Sequence, residues 1–228
     1  MAKGQYNVES MPRFGLPEYA NRFPDRPERL RIEIDGAVER PVTLDAAKWR
    51  RLPRHEQESD FHCVTTWCAP RQHWEGVCFR SFHERFVVPE CGPHDEVSHV
   101  AMRCADGFRA VLPLEDMLAE DVLLADRHNR APLTLAHGAP LRLVAPAHYG
   151  YKNAKHVVGI ELLTSEQRPD SLRRRFLTHP RARVAREERS GMLPGWLLRR
   201  PYRALVPRTI RNFERALQQY ERERARES

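Results

Sequence analysis

Phe61-His62-Cys63-Val64-Thr65-Thr66-Trp67-Cys68 sets a thiol at the end of a stretch with strand character, between a histidine and a run of small and aromatic residues. Residues 56–64 read as the strand that delivers Cys63. Side chains alternate along a strand, so His62 should point to the face opposite Cys63. Position and chemistry make Cys63 a candidate metal ligand or nucleophile. No Asp/His pairing that would activate a nucleophile is evident around it.

The cysteines at 63, 68, 78, 91 and 104 form an odd set. The first residues lack the apolar core of a secretion signal, so reduced thiols and a cytoplasmic location are expected. A zinc site drawn from Cys63, Cys68, His62, His73 and Cys78 is one alternative. It lacks the second closely spaced cysteine pair that structural zinc prefers.

Working outward, Leu30 to Ile34 alternates apolar and charged residues, and Asp35-Gly36 signals a turn. Asp45 is placed to cap a short helix that faces Ala46, Trp49 and Leu52 inward and stops at Pro53. Trp74-Glu75-Gly76-Val77 reads as a turn. Phe79, Phe82 and Phe86 fall at helical spacing and belong to the core. Residues 97–104 and 108–112 read as strands joined through Asp106-Gly107. A helix begins at Pro113, and further strands fall at 122–125, 141–144 and 156–163. Short strands with a few helices between them predict an α+β class with a β-rich core.

The 228 residues are 41% hydrophobic and 30% charged, which excludes a disordered chain. No apolar run approaches the roughly 20 residues of a spanning helix. The charge of +7 is uneven: residues 166–228 hold 17 Lys and Arg against 8 Asp and Glu, while the rest carries a net −2. The expected organisation is an N-terminal arm (1–29), one body (30–165) and an arginine-rich helical tail (166–228). The tail divides into a connector broken by Pro180, Pro194, Pro201 and Pro207 and an amphipathic helix bearing Ile210, Phe213, Leu217 and Tyr220. Such a tail could bind nucleic acid, an acidic membrane surface or a partner. Nucleic acid is the less favoured of these, because no aromatic residues interleave the basic run.

A second constellation spans His137-Gly138-Ala139-Pro140-Leu141-Arg142 and Tyr149-Gly150-Tyr151-Lys152-Asn153-Ala154-Lys155. Gly138 and Gly150 permit close backbone approach. Arg142 lies in an apolar strand, where an unpaired guanidinium is costly and needs an anionic partner. Lys152 and Lys155 can set two ammonium groups on one side, an arrangement suited to phosphate. Pairing of Arg142 with a protein carboxylate, and solvation of the lysines, remains the alternative.

These segments, in order with Ile34 to Glu39, Trp74 to Val77, Ala105 to Phe108, Leu112 to Leu114 and Val122 to Ala125, resemble the oxidoreductase molybdopterin-binding domain of the sulfite oxidase superfamily. The resemblance covers about residues 30–163 and lies closest to the small bacterial branch that includes the methionine-sulfoxide reductase catalytic subunit. It implies a β-rich sulfite oxidase-like fold, a molybdenum–molybdopterin cofactor, and Cys63 as the thiolate ligand of the metal and hence the catalytic residue. It also implies that His137, Arg142, Gly150, Tyr151, Lys152 and Lys155 contact the pterin and its phosphate. The activity implied is two-electron oxygen-atom transfer on a small substrate such as sulfite or a sulfoxide, with a separate electron-transfer partner. Arg71, Arg103 and Arg109 are basic candidates for an oxyanion substrate. The sequence departs from the family at Cys68 and Cys104, where relatives carry hydroxyl residues, and in its arginine-rich tail.

Overall fold

Ile32, Ile34 and Leu44 recur at every second position of neighbouring segments and are fully buried, so Arg31 to Asp45 folds as an antiparallel pair with one wet face. A computed structural model describes residues 4–166 and 176–227. The pair comprises β2 (Arg31–Gly36) and β3 (Val42–Asp45). The Asp45 carboxylate accepts the Lys48 N–H at 2.8 Å and starts helix α1 (Ala46–Trp49), which buries Trp49 as its spacing predicts. A five-stranded sheet runs in the order β3-β2-β11-β6-β7, with β6 at His99–Cys104, β7 at Arg109–Pro113 and β11 at Val157–Leu163. The β6–β7 turn uses Gly107 at φ 84°, a conformation glycine adopts without strain.

A second sheet joins β1 (Tyr6–Asn7), β4 (His55–His62), β5 (Trp67–Cys78), β8 (Leu123–His128), β9 (Ala131–Pro132) and β10 (Arg142–Val144). Its two faces have different jobs. Val77, Leu124 and Leu143 turn toward the five-stranded sheet and join the main core, with Phe79, Phe82 and Phe86 from the helical segment 79–91. That segment contains α2 (Phe79–Phe82) and α3 (Val88–Cys91), and α4 (Leu114–Met117) packs nearby. Trp74, Leu123, Ala125 and Val144 turn the other way, into a second cluster with Phe61, Cys63 and Trp67.

The predicted turn at Trp74–Val77 is instead the continuous strand β5, paired with β4 on one side and β8 on the other. Gly76 is there because another backbone approaches closely: a Cβ would sit 2.0 Å from the Leu124 carbonyl oxygen. Gly76→Ala should therefore destabilise the fold by about 2–3 kcal/mol, read as a lowered denaturant midpoint.

Pro180 and Pro194 lie in the non-helical connector as expected, but Pro201 and Pro207 do not break the tail. Helix α5 (Gly195–Glu227) runs through Pro201 and Pro207, and Leu198, Tyr202, Val206, Phe213 and Ala216 form its buried face. Residues 167–175 of the tail read from sequence lie outside the described residues. The helix also holds the N-terminal arm. Phe14 stacks on Phe213, Phe23 stacks on Tyr220 at 4.2 Å, and Arg13 donates to the Phe213 and Ala20 carbonyls from between the Phe23 and Phe213 rings. Arm and helix together form a third layer over the second face of the six-stranded sheet. No helix among the described residues is long and apolar enough to cross a membrane.

Candidate functional site

Strand β4 ends at His62, and Cys63 opens a tight turn into β5. The Cys63 N–H donates to the Trp67 carbonyl at 2.9 Å, and the Thr66 N–H donates back to the Cys63 carbonyl at 3.2 Å. The turn fixes the thiol 3.1 Å from the Thr65 hydroxyl, on the face that carries Phe61 and Trp67. Burial pushes the Cys63 thiol up to about 11, against the opposing pull of the Thr65 hydrogen bonds and the Arg189 charge. Arg189 is fully buried, donates to the Val64 carbonyl and to Glu187, and lies 4.9 Å over the Tyr149 ring. The arm contributes Gln5, whose amide donates to the Cys63 carbonyl at 3.1 Å, and Tyr6, which packs against the same cluster.

Arg142 is on β10 and projects to that face too. Its side chain is 1% exposed, and its guanidinium lies 5.3 Å from the centre of the Phe61 ring and 4.8 Å from that of Trp74. Its hydrogen bonds go to the His137 carbonyl at 2.9 Å and, at 3.5 Å, to the Leu143 carbonyl. No protein carboxylate is bonded to it: among the described residues it has no ion pair. Burial lowers it to about 9. Phe61, two residues before Cys63 on one strand face, therefore bridges the thiol end and the guanidinium end of the site. Gly150 makes room for that ring, since a Cβ there would fall 2.6 Å from its edge.

Lys155 and His137 complete the cationic end. Gly138 packs between the stems of Lys155 and Arg142, and the Lys155 ammonium donates to the Phe14 carbonyl at 3.1 Å. Burial, then the Arg142 and Arg13 charges, lower Lys155 to about 7. His137 bonds the Thr134 hydroxyl and the Met11 carbonyl and faces His128, which stacks on Trp74. Lys152 does not join them. Its ammonium is turned to the Val111 carbonyl of β7, so the two lysines diverge where sequence spacing put them on one side. Tyr151 bonds the backbone at His179 through its hydroxyl.

The basic oxyanion candidates are elsewhere. Arg103 pairs with Asp35 at 2.6 Å and Arg109 with Glu161 at 2.8 Å, both in the five-stranded sheet, and Arg71 is exposed at a strand irregularity. Cys104 belongs to the main core, where burial raises its thiol. Cys68 lies on the face of the β4–β5 pair opposite Cys63. Arg189, Arg13, Gln5 and Thr65 went unread in the sequence. Arg189 and Arg13 are single arginines among many in polar stretches, and Gln5 is a neutral residue in an unpatterned arm.

The Lys155 environment has a measurable consequence. Its folded value lies below the ordinary lysine value, so between about pH 7 and 10.5 the unfolded chain binds the extra proton. Stability of the cofactor-free protein should rise through that window by up to about 1 kcal/mol per pH unit. Chemical denaturation of Lys155→Met across the same range should show a flatter profile.

Residues 20–170 match the family described as the oxidoreductase molybdopterin binding domain. The chain belongs to this family. It is 38% identical over 138 residues to the oxidoreductase YuiH of Bacillus subtilis, covering 60% of this chain and 67% of that one. It is 29% identical over 163 residues to the protein-methionine-sulfoxide reductase catalytic subunit MsrP of Campylobacter jejuni, covering 61% and 50%. The chain thus spans between half and two thirds of the length of these relatives. The crystal structure of the sulfane dehydrogenase SoxCD from Paracoccus pantotrophus superposes with a TM-score of 0.52 at 22% identity, over 59% of this chain and 38% of that one, a likeness of fold. The molybdopterin-binding chain is thus an oxidoreductase of the sulfite oxidase type, with a molybdenum–molybdopterin cofactor.

The residues present fit such a group. Phosphate and pterin are rich in acceptors, and this face of the sheet carries donors without acceptors. Among the described residues, Trp67 Nε1, Trp74 Nε1 and Arg13 Nε are buried with no hydrogen-bond partner, beside a guanidinium with no ion pair. A buried donor left unsatisfied costs about 1–3 kcal/mol, so a ligand with acceptors relieves a real penalty.

Proposed function

We propose that this chain carries out two-electron oxygen-atom transfer on a small sulfur-centred substrate, sulfite or a sulfoxide, in the cytoplasm, exchanging electrons with a separate protein. In this reading Cys63 ligates molybdenum, while Arg142, Lys155 and His137 hold the phosphate end of the cofactor. The observation that carries the proposal is the shared sheet face: a turn-held thiol and a buried guanidinium, without an ion pair among the described residues, bridged by Phe61. When bound, the cofactor supplies the two-electron couple and the oxygen-atom exchange.

The protein's own part follows from its geometry. The raised Cys63 thiol gives up its proton on ligation, so loading releases a proton and is favoured by higher pH. The Thr65 hydroxyl at 3.1 Å can donate to the resulting thiolate, and Arg189 adds positive potential while fixing the Val64 carbonyl. Arg142 and Lys155 offer charge-assisted bonds to phosphate, which are stronger than neutral ones. Gly150 makes room for Phe61, Tyr151 packs with the Tyr149 cluster beside Val64, and Lys152 ties this segment to β7. Arm and helix keep water from the sulfur.

The test is direct. Protein from a host that makes molybdopterin should contain molybdenum and release fluorescent oxidised pterin in equal amounts. It should turn over sulfite or a sulfoxide with artificial electron carriers. Absence of pterin, or a loaded enzyme inert to both substrate classes, would overturn the proposal.

The outer face of α5 favours a peripheral role as well. Trp196 is 62% exposed, Leu197 is exposed, and Arg200, Arg208 and Arg211 lie among them, opposite the buried stripe. Indole and leucine beside arginine suit an anionic lipid surface. Sedimentation with anionic vesicles should be lost in Trp196→Ser at raised salt and absent with neutral vesicles.

A further inference from the structure

We propose that Asp60, His62 and Cys68 form a binding site for a borderline-soft divalent cation of the zinc class, on the face of the β4–β5 pair opposite Cys63. The pairing register sets His62 directly across from Cys68, and Asp60 lies two residues before His62 on β4. One donor atom from each of the three lies within 4.8 Å of the others. A thiolate, an imidazole and a carboxylate are the ligand types zinc takes, and three of them leave one coordination position for water.

The hydrogen bonds around the cluster point the same way. Gln5 donates its amide N–H to the Cys63 carbonyl at 3.1 Å, an oxygen that can only accept. Its amide oxygen must therefore face His62 Nδ1, 2.7 Å away, and accept a proton from it. That fixes the neutral tautomer with the lone pair on Nε2. A metal-binding histidine is typically oriented in this way, with its other nitrogen donating to a carbonyl. Asp60 is held similarly: one carboxylate oxygen accepts the Arg71 backbone N–H at 2.9 Å, which leaves the second available. Cys68 is buried, and Asp60 and His62 are half-buried, so a cation could enter from the solvent side.

Alternation along the two strands keeps this site apart from Cys63. Phe61, Cys63, Trp67 and Ala69 pack in one cluster, whereas Asp60, His62 and Cys68 occupy the positions between them. The zinc set considered from sequence mixed the faces by joining Cys63 to Cys68. The structure replaces it with a set that uses neither Cys63, His73 nor Cys78. A cation here would clamp β4, through Asp60 and His62, to β5, through Cys68, and Gln5 ties His62 to the carbonyl of Cys63.

Full-length protein stripped with a chelator should bind one equivalent of Co²⁺ with a thiolate-to-cobalt charge-transfer band, and Zn²⁺ should displace it. Cys68→Ser should abolish the band and Cys63→Ser should keep it. Asp60→Asn and His62→Gln should each weaken binding at least about tenfold, and they carry the test if Cys68→Ser does not fold. Cobalt binding without a thiolate band would overturn the site. So would a band lost in Cys63→Ser and kept in Cys68→Ser. Because the readout needs no molybdenum, it stands or fails apart from the oxygen-transfer proposal.

Discussion

Cys63→Ser is expected to lose at least about a hundredfold in turnover while still releasing pterin. Changes one step removed from a metal cost about 10–100-fold, and this one removes a proposed ligand itself. The cations that would hold the phosphate end lie beyond Phe61 and are untouched by the change. Loss of the sulfur should therefore separate activity from cofactor retention. Steady-state assays, with molybdenum and pterin measured on the same preparation, check it. Serine at 63 with wild-type turnover would show that the thiol is not a ligand. Thr65→Ala is the milder companion, because it removes only the hydroxyl 3.1 Å from the sulfur.

Arg142→Met should act in opposite directions on two quantities. In the cofactor-free protein the guanidinium is buried against two aromatic rings and two carbonyls, with no ion pair among the described residues. A methionine fills similar space without that charge, so the cofactor-free fold should gain about 1 kcal/mol, as seen when buried charges give way to packed apolar groups. Pterin content should fall at least about tenfold, because a charge-assisted phosphate contact is lost. Denaturant midpoints of the stripped proteins and pterin release from unstripped ones measure the two effects. A purely structural arginine would give the reverse: a destabilised fold with pterin content intact.

The strands were legible because their alternation is strong. Ile32, Ile34 and Leu44, and the Asp106-Gly107 turn, lie where the pattern puts them. Gly76 misled because a glycine that admits a neighbouring backbone looks, in one dimension, like a glycine that makes a turn. Pro201 and Pro207 misled in a related way. Local propensity argues for a break, and the row Leu198, Tyr202 and Val206 facing the sheet overrides it. Arg142 stood out as a charge in an apolar strand, whereas Arg189, equally buried, was hidden among arginines of similar surroundings. The divergence of Lys152 and Lys155 depends on the path of the backbone between them, which spacing does not encode.

Arg203 of α5 reaches the Thr66 hydroxyl and the Gly4 carbonyl, and Val206 lies in the same cluster as Cys63. Because this helix belongs to neither sheet, it can part from the sulfur-bearing turn without breaking a strand pair.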